Sequence, residues 1–163
     1  MIELLTVIAI IAILAALVLN TAGYIQKKAA RSRAEAEIAA LSAALESYKA
    51  EYGTYPEAPN NHGVSVTEGA NVLYQALVLS NSLNPLGKVF FEPGKGNVRP
   101  DTSNFANTAN YFVDPFGQPY QYQYPGDANK SGSNFFDLWS YGGVTGTKAT
   151  DTATNWEFWV KNW

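Results

Sequence analysis

Residues 4–19, LLTVIAIIAILAALVL, hold no charge and one polar side chain, Thr6. Helix formers dominate and neither Gly nor Pro interrupts, so the run reads as a helix that is apolar on every face. Its 16 positions span about 24 Å, and continuing to Tyr24 gives about 32 Å, close to the hydrocarbon thickness of a bilayer. Two surroundings accept such a helix: lipid, and the centre of a bundle of identical helices. A secretory signal peptide is the competing reading. It needs a basic flank before the run and a small-residue cleavage site after it, whereas here the helical pattern simply continues.

Beyond Tyr24 the period persists while the composition changes. Lys27, Lys28, Arg31 and Arg33 are followed by Ala34, Ile38, Leu41, Leu45, Tyr48 and Tyr52 at spacings of 4, 3, 4, 3 and 4, one apolar stripe on an otherwise polar helix. Arg31 with Glu35 and Arg33 with Glu37 form i, i+4 pairs on the wetter face, each worth about 0.2–0.5 kcal/mol. Gly53 is a natural stop and Pro56 seals it. A helix over about residues 1–52 is roughly 75 Å long, more than a domain made from the rest of 163 residues can bury. The chain therefore divides into a filament-core or membrane half, residues 1–24, and a globular part, residues 25–163, that includes the amphipathic half of the helix. The poor helix formers of residues 20–23, NTAG, mark the junction.

Residues 53–71 read as a loop rich in Gly, Pro and Asn, and residues 71–79 as a short packing helix. Residues 84–110, with three Pro and three Gly, read as an irregular surface excursion with at most a brief element around KVFF. Aromatic runs with two-residue alternation follow: YQYQY at 120–124, FFDLWSY at 135–141 and NWEFWVKNW at 155–163. They predict a small antiparallel sheet lying on the stripe, an α+β arrangement.

Composition excludes several functions. A formal net charge of −3 gives no field for nucleic acid, which is not expected as a partner. Without cysteine, and with His62 the single histidine, neither thiolate nor histidine clusters can hold a metal within one chain. No nucleophile can be paired with a base. Asp101, Asp114, Asp127 and Asp137 could supply paired carboxylates, but Asp101 and Asp114 adjoin prolines and read as turn formers. The chain is not expected to be an enzyme. Its 22 aromatic residues read as core and sheet packing.

MIELLTVIAIIAILAAL resembles the N-terminal signature of type IV pilin-like proteins. YGTYP, DPFGQPYQYQYPG and FDLWSYGG resemble the globular region of the major pseudopilin of type II secretion. The resemblance implies the pilin fold, a long N-terminal helix packed by its C-terminal half on a small antiparallel sheet. It further implies a helical homopolymer made with a leader peptidase and an inner-membrane assembly platform, resident in the membrane before assembly and periplasmic or extracellular afterwards. Read from the residues alone, Glu3 either satisfies the helix dipole at headgroup level or meets a positive partner. The resemblance implies the second, with Glu3 meeting the N-terminal amine of a neighbouring subunit, and assembly contacts from Glu3, Leu4, Leu5, Ile8, Ile11, Leu14 and Leu17. Ile38, Leu41, Leu45, Tyr48 and Tyr52 join the helix to the domain.

The chain departs from the family at three points. Relatives carry two residues before the position of Met1, implying a mature start of Phe-Thr-Met and a methylated first residue. The bases from Lys27 to Arg33 oppose the family's orientation by the positive-inside rule, a conflict that a basic leader resolves. Asn20 stands where many relatives have Pro.

Calcium is the one cofactor considered. Asp127, Asn129 and Ser131 followed by Gly132 partly imitate a D-x-N-x-S-G calcium loop, but the twelfth position is Leu138 instead of Glu, which favours a hairpin connection. The resemblance implies a second place, the loop after FDLWSYGG, where Asp151 is the only acid and Val144 stands where relatives commonly have Asp. The functions expected are a short secretion pseudopilus or, alternatively, a long extracellular pilus for adhesion or motility. A monomeric membrane-anchored binding module is the reading from a different class.

Overall fold

The computed structural model of the chain describes residues 2–58, 67–100, 104, 106–146 and 154–163, with the side chains of all of these except residues 16–22. Helix α1, Ile2–Tyr52, runs unbroken for 51 residues. Gly53 ends it at φ +80°, its N–H on the Lys49 carbonyl at 2.7 Å, in the left-handed conformation that glycine adopts without a Cβ clash.

The stripe is the spine of the core. Ala34, Ile38, Leu41, Leu45 and Tyr48 are each at most 5% exposed, Ala44 widens the face, and Tyr52 packs half-buried at its edge. Helix α2, Glu68–Val78, begins three residues before the expected 71–79 and buries Leu73, Tyr74, Ala76 and Leu77. Strands β1, Val98–Arg99, and β2, Tyr111–Phe112, pair antiparallel. Strands β3, Gln121–Gln123, β4, Asp137–Ser140, and β5, Val160–Lys161, form a second antiparallel sheet with β4 central. Its register pairs Tyr122 with Leu138 and Ser140 with Val160.

α1 packs on β4 and β5, and α2 on β2 and β3. Every residue of β4 is buried. Leu138 belongs to the core that includes the α1 stripe, whereas Trp139, pointing the opposite way, stacks on Trp159 at 5.6 Å. Gly69 lets α2 lie on the strand backbone: a Cβ there would stand 2.4 Å from the Tyr122 carbonyl oxygen.

Two expectations are corrected. NWEFWVKNW is not one strand, because Trp156–Phe158 is a 3₁₀ turn and only Val160–Lys161 joins the sheet. Arg31 caps this turn, its guanidinium donating from Nη1 to the Phe158 carbonyl at 2.9 Å and from Nη2 to the Trp159 carbonyl at 3.0 Å. Arg31 is thus part of the domain interface, and its Glu35 contact is the longer one at 3.7 Å. Residues 84–110 are likewise anchored to the core, with Asn84, Val98 and Asn110 fully buried. The Asn84 amide donates to the Lys88 carbonyl at 2.8 Å and accepts the Tyr52 hydroxyl at 2.7 Å. KVFF forms no strand or helix; the Phe90 N–H donates to the Leu77 carbonyl at 2.8 Å.

The expected membrane crossing by residues 1–24 falls partly outside the described side chains, which omit residues 16–22. Among the described residues no helix is long and apolar enough to cross a membrane.

Candidate assembly site

The N-terminal half of α1 stands clear of the domain. Of the residues expected to make assembly contacts, Leu4 is 72% exposed, Leu5 63%, Ile8 52%, Ile11 59% and Leu14 56%; the Leu17 side chain lies outside the described ones. Ile2, Val7, Ile10 and Ile13 are exposed to the same degree and were missing from that expectation. A helix that is apolar all round offers no preferred face, so no subset of it can be picked out by period. Glu3 lies in the first turn, is exposed and forms no ion pair among the described residues. The Thr6 hydroxyl donates to its carbonyl at 2.8 Å.

Below the junction, polar contacts fix α1 to the sheet. Glu37 accepts Arg33 Nε on Oε1 at 2.8 Å and the Tyr120 hydroxyl on Oε2 at 2.8 Å. Burial pushes the Tyr120 hydroxyl far above its ordinary range, and the Glu37 carboxylate pushes it further. Asp114 is 2% exposed. Its Oδ1 accepts the N–H groups of Phe116 at 2.9 Å and Gln118 at 2.8 Å, and its Oδ2 accepts the Ser140 hydroxyl.

Burial raises the Asp114 carboxyl above the usual carboxylate range, with a smaller push from Glu37, while those hydrogen bonds pull it back. The folded chain therefore keeps this proton to a higher pH than the unfolded chain does. Stability from this group is complete at low pH and is lost as pH rises from the ordinary carboxylate range through the raised value. Asp114→Asn cannot ionise and is expected to flatten that part of the stability profile, measured by thermal melts between about pH 3 and about pH 7. An identical slope in both proteins would remove Asp114 as its source.

Between β3 and β4 the chain turns on its own carboxylates. Asp127 Oδ1 accepts the Asn129 N–H at 2.8 Å and the Asn129 side-chain amide at 3.1 Å. Asp137 accepts the Asp127 N–H on Oδ2 at 2.7 Å, and on Oδ1 both the Ser131 N–H at 3.1 Å and the Ser131 hydroxyl. Gly132, at φ +88°, donates to the Asp127 carbonyl at 3.0 Å.

No protein-family model matches the chain, and no solved structure matches it at a significant level. The type II secretion system core protein G of Pseudomonas aeruginosa is 32% identical to it over 142 residues, 87% of this chain and 80% of that protein. The chain belongs to the major pseudopilin family.

In this pseudopilin the calcium candidates Asp127 and Asn129 lie together in the β3–β4 hairpin and are hydrogen-bonded to each other. Asn129 turns its amide N–H toward Asp127, and Asp137 holds N–H groups with both oxygens. Among the described residues no three His, Cys, Asp or Glu side chains gather where a metal ion could sit. Asp151 lies outside the described residues, as do His62 and Asp101. Asp114, Asp127 and Asp137 each hold main-chain N–H groups of turns, which is what the turn reading of such residues requires. The pseudopilin residues that sequence reasoning missed are Arg31 and Glu37, both assigned to the wet face. Their partners, Phe158, Trp159 and Tyr120, lie too far along the chain for any local pattern to reveal.

Proposed function

We propose that this pseudopilin is the repeating subunit of a type II secretion filament and polymerises through residues 1–24 of α1. The observation that carries the reading is the contrast within one helix. Its lower half hides its apolar side chains against the domain, while in its upper half Ile2, Leu4, Leu5, Val7, Ile8, Ile10, Ile11, Ile13 and Leu14 remain more than half exposed. Family membership supports the class of assembly. The uncharged run of residues 4–19 supports residence in the inner membrane before assembly, since lipid and neighbouring apolar helices are similar solvents and exchange between them costs little. Leader removal and an assembly platform in the membrane follow from the same reading, with the filament in the periplasm. A long extracellular fibre is the alternative, and long fibres containing this chain outside the cell, seen by electron microscopy, would displace the secretion piston.

Glu3 is the residue to test. An unpaired carboxylate in hydrocarbon costs up to about 3 kcal/mol, and a pairing that recovers half of this changes assembly about tenfold. Glu3→Ala is expected to lower filament yield by at least that factor while the chain still fractionates with membranes. Unchanged filaments would end the proposed pairing of Glu3 with a neighbouring subunit. A chain that forms no filaments with either residue would instead be a monomeric anchored module.

A further inference from the structure

α1 is divided by charge as well as by polarity. Residues 24–33 carry Lys27, Lys28, Arg31 and Arg33 and no acid, whereas residues 34–52 carry Glu35, Glu37, Glu46 and Glu51 against Lys49 alone. Arg31 and Arg33 are used inside the chain, by the Phe158 and Trp159 carbonyls and by Glu37. Lys27 and Lys28 are exposed and have no hydrogen bond or ion pair among the described residues. In the lower band, Glu46 accepts the Tyr55 hydroxyl at 2.7 Å through Oε1, and Glu51 meets the exposed Lys88 at 2.7 Å through Oε2. Each leaves its other oxygen to a further donor. Between the bands the exposed side of α1 is smooth. Ala36, Ala40, Ala43, Ser47 and Ala50 recur at spacings of 4, 3, 4 and 3, and at about 100° per residue they fall opposite the buried stripe.

We propose that this exposed side of α1 is an interface for a second copy of the chain, with Lys28 at the edge of that side in one copy docked on the Glu46 and Glu51 band of the other. The inference rests on the filament reading and supplies what that reading lacks, a polar contact between copies outside the greasy half. Lys28 precedes Glu46 by 18 residues and Glu51 by 23, so two parallel copies are staggered by about 27–35 Å along their axes. The contact joins two different patches. Repeated from copy to copy, it extends an open helical polymer instead of closing a dimer. The small side chains let the helix backbones approach. Exposed ion pairs are individually weak and screened by salt, so the bands select the stagger and leave cohesion to the apolar half, where a smooth greasy surface cannot choose one offset over another.

The chain has no cysteine, so introduced thiols report on this contact alone. Full-length chains carrying Ala29→Cys are mixed with chains carrying Ser47→Cys, assembled and oxidised, and the parent chain is scored for filaments by electron microscopy. Disulfide dimers from the mixture but from neither variant alone are the expected result. Lys28→Glu on both partners should lower their yield by about threefold or more. Filaments without mixed cross-links, or self-links of Ala29→Cys as abundant as mixed ones, overturn the staggered interface while leaving the filament reading intact. So does charge reversal that leaves cross-linking unchanged and instead weakens binding to vesicles of anionic phospholipid, which would make the basic band a lipid contact. Absence of filaments from the parent chain overturns both.

Discussion

Removal of residues 1–24 is expected to leave a folded, soluble monomer. The fragment keeps the whole core, whose first member is Ala34, and keeps the Arg31 hydrogen bonds to Phe158 and Trp159. What it loses is apolar surface. Fully burying a Leu, Ile or Val side chain stabilises by about 1.5–3 kcal/mol, so hiding the remaining half of those between Ile2 and Leu14 supplies association energy of order 10 kcal/mol per subunit. That is comparable with the free energy of a micromolar complex, about 8 kcal/mol; among the described residues after Ile25 the exposed large hydrophobic side chains are Leu86 and Val89 alone. Sedimentation velocity should give a single species at the fragment's mass, with the near-ultraviolet dichroism of packed aromatic residues retained. A fragment that still polymerises would move the assembly element into the domain.

The long helix was legible because its signal is local and repeated. A stripe at 4, 3, 4, 3 and 4 spacing cannot serve a strand, and Gly53 and Pro56 stop it where the chain does stop. The sheet was legible as aromatic alternation, but only as far as alternation means pairing. In residues 155–163 the alternating aromatics serve a cluster of rings in which Trp139 lies flat on Trp159 and edge-on to Trp163. The backbone there bends into a turn whose Phe158 carbonyl accepts from Arg31, 127 residues away. Asn84 was hidden for the same reason. A loop of Pro, Gly and Asn looks like surface, and nothing near Asn84 in sequence announces that Tyr52 will reach it from the end of α1. Polar side chains that bind distant backbone are invisible to periodicity, whereas apolar side chains betray their face by repeating. The assembly half lies between these cases. Its polarity was plain, but a surface without a polar side has no phase, so only Glu3 could be singled out within it.

Leu45→Ala should be the most damaging single truncation along α1. Leu45 is fully buried at the middle of the stripe, in the core to which α2 and β4 also contribute. A close-packed core collapses only partly into such a gap, so the cost combines lost transfer energy with an unfilled cavity, about 2–5 kcal/mol. In a domain of this size a loss of that order lowers the melting temperature by roughly 2–4 °C per kcal/mol. Ser47→Ala, two residues on and exposed, is the matched control and should stay within about 0.5 kcal/mol. Urea unfolding of the fragment lacking residues 1–24 separates the two without interference from assembly. A Leu45→Ala cost below about 1 kcal/mol, against the value expected for a filled core, would mean that α1 is held to the sheet chiefly by Arg31, Glu37 and Tyr120. In that event the joint between the assembly helix and the domain is polar, and it should weaken with the charge on Glu37 instead of with side-chain volume on the stripe.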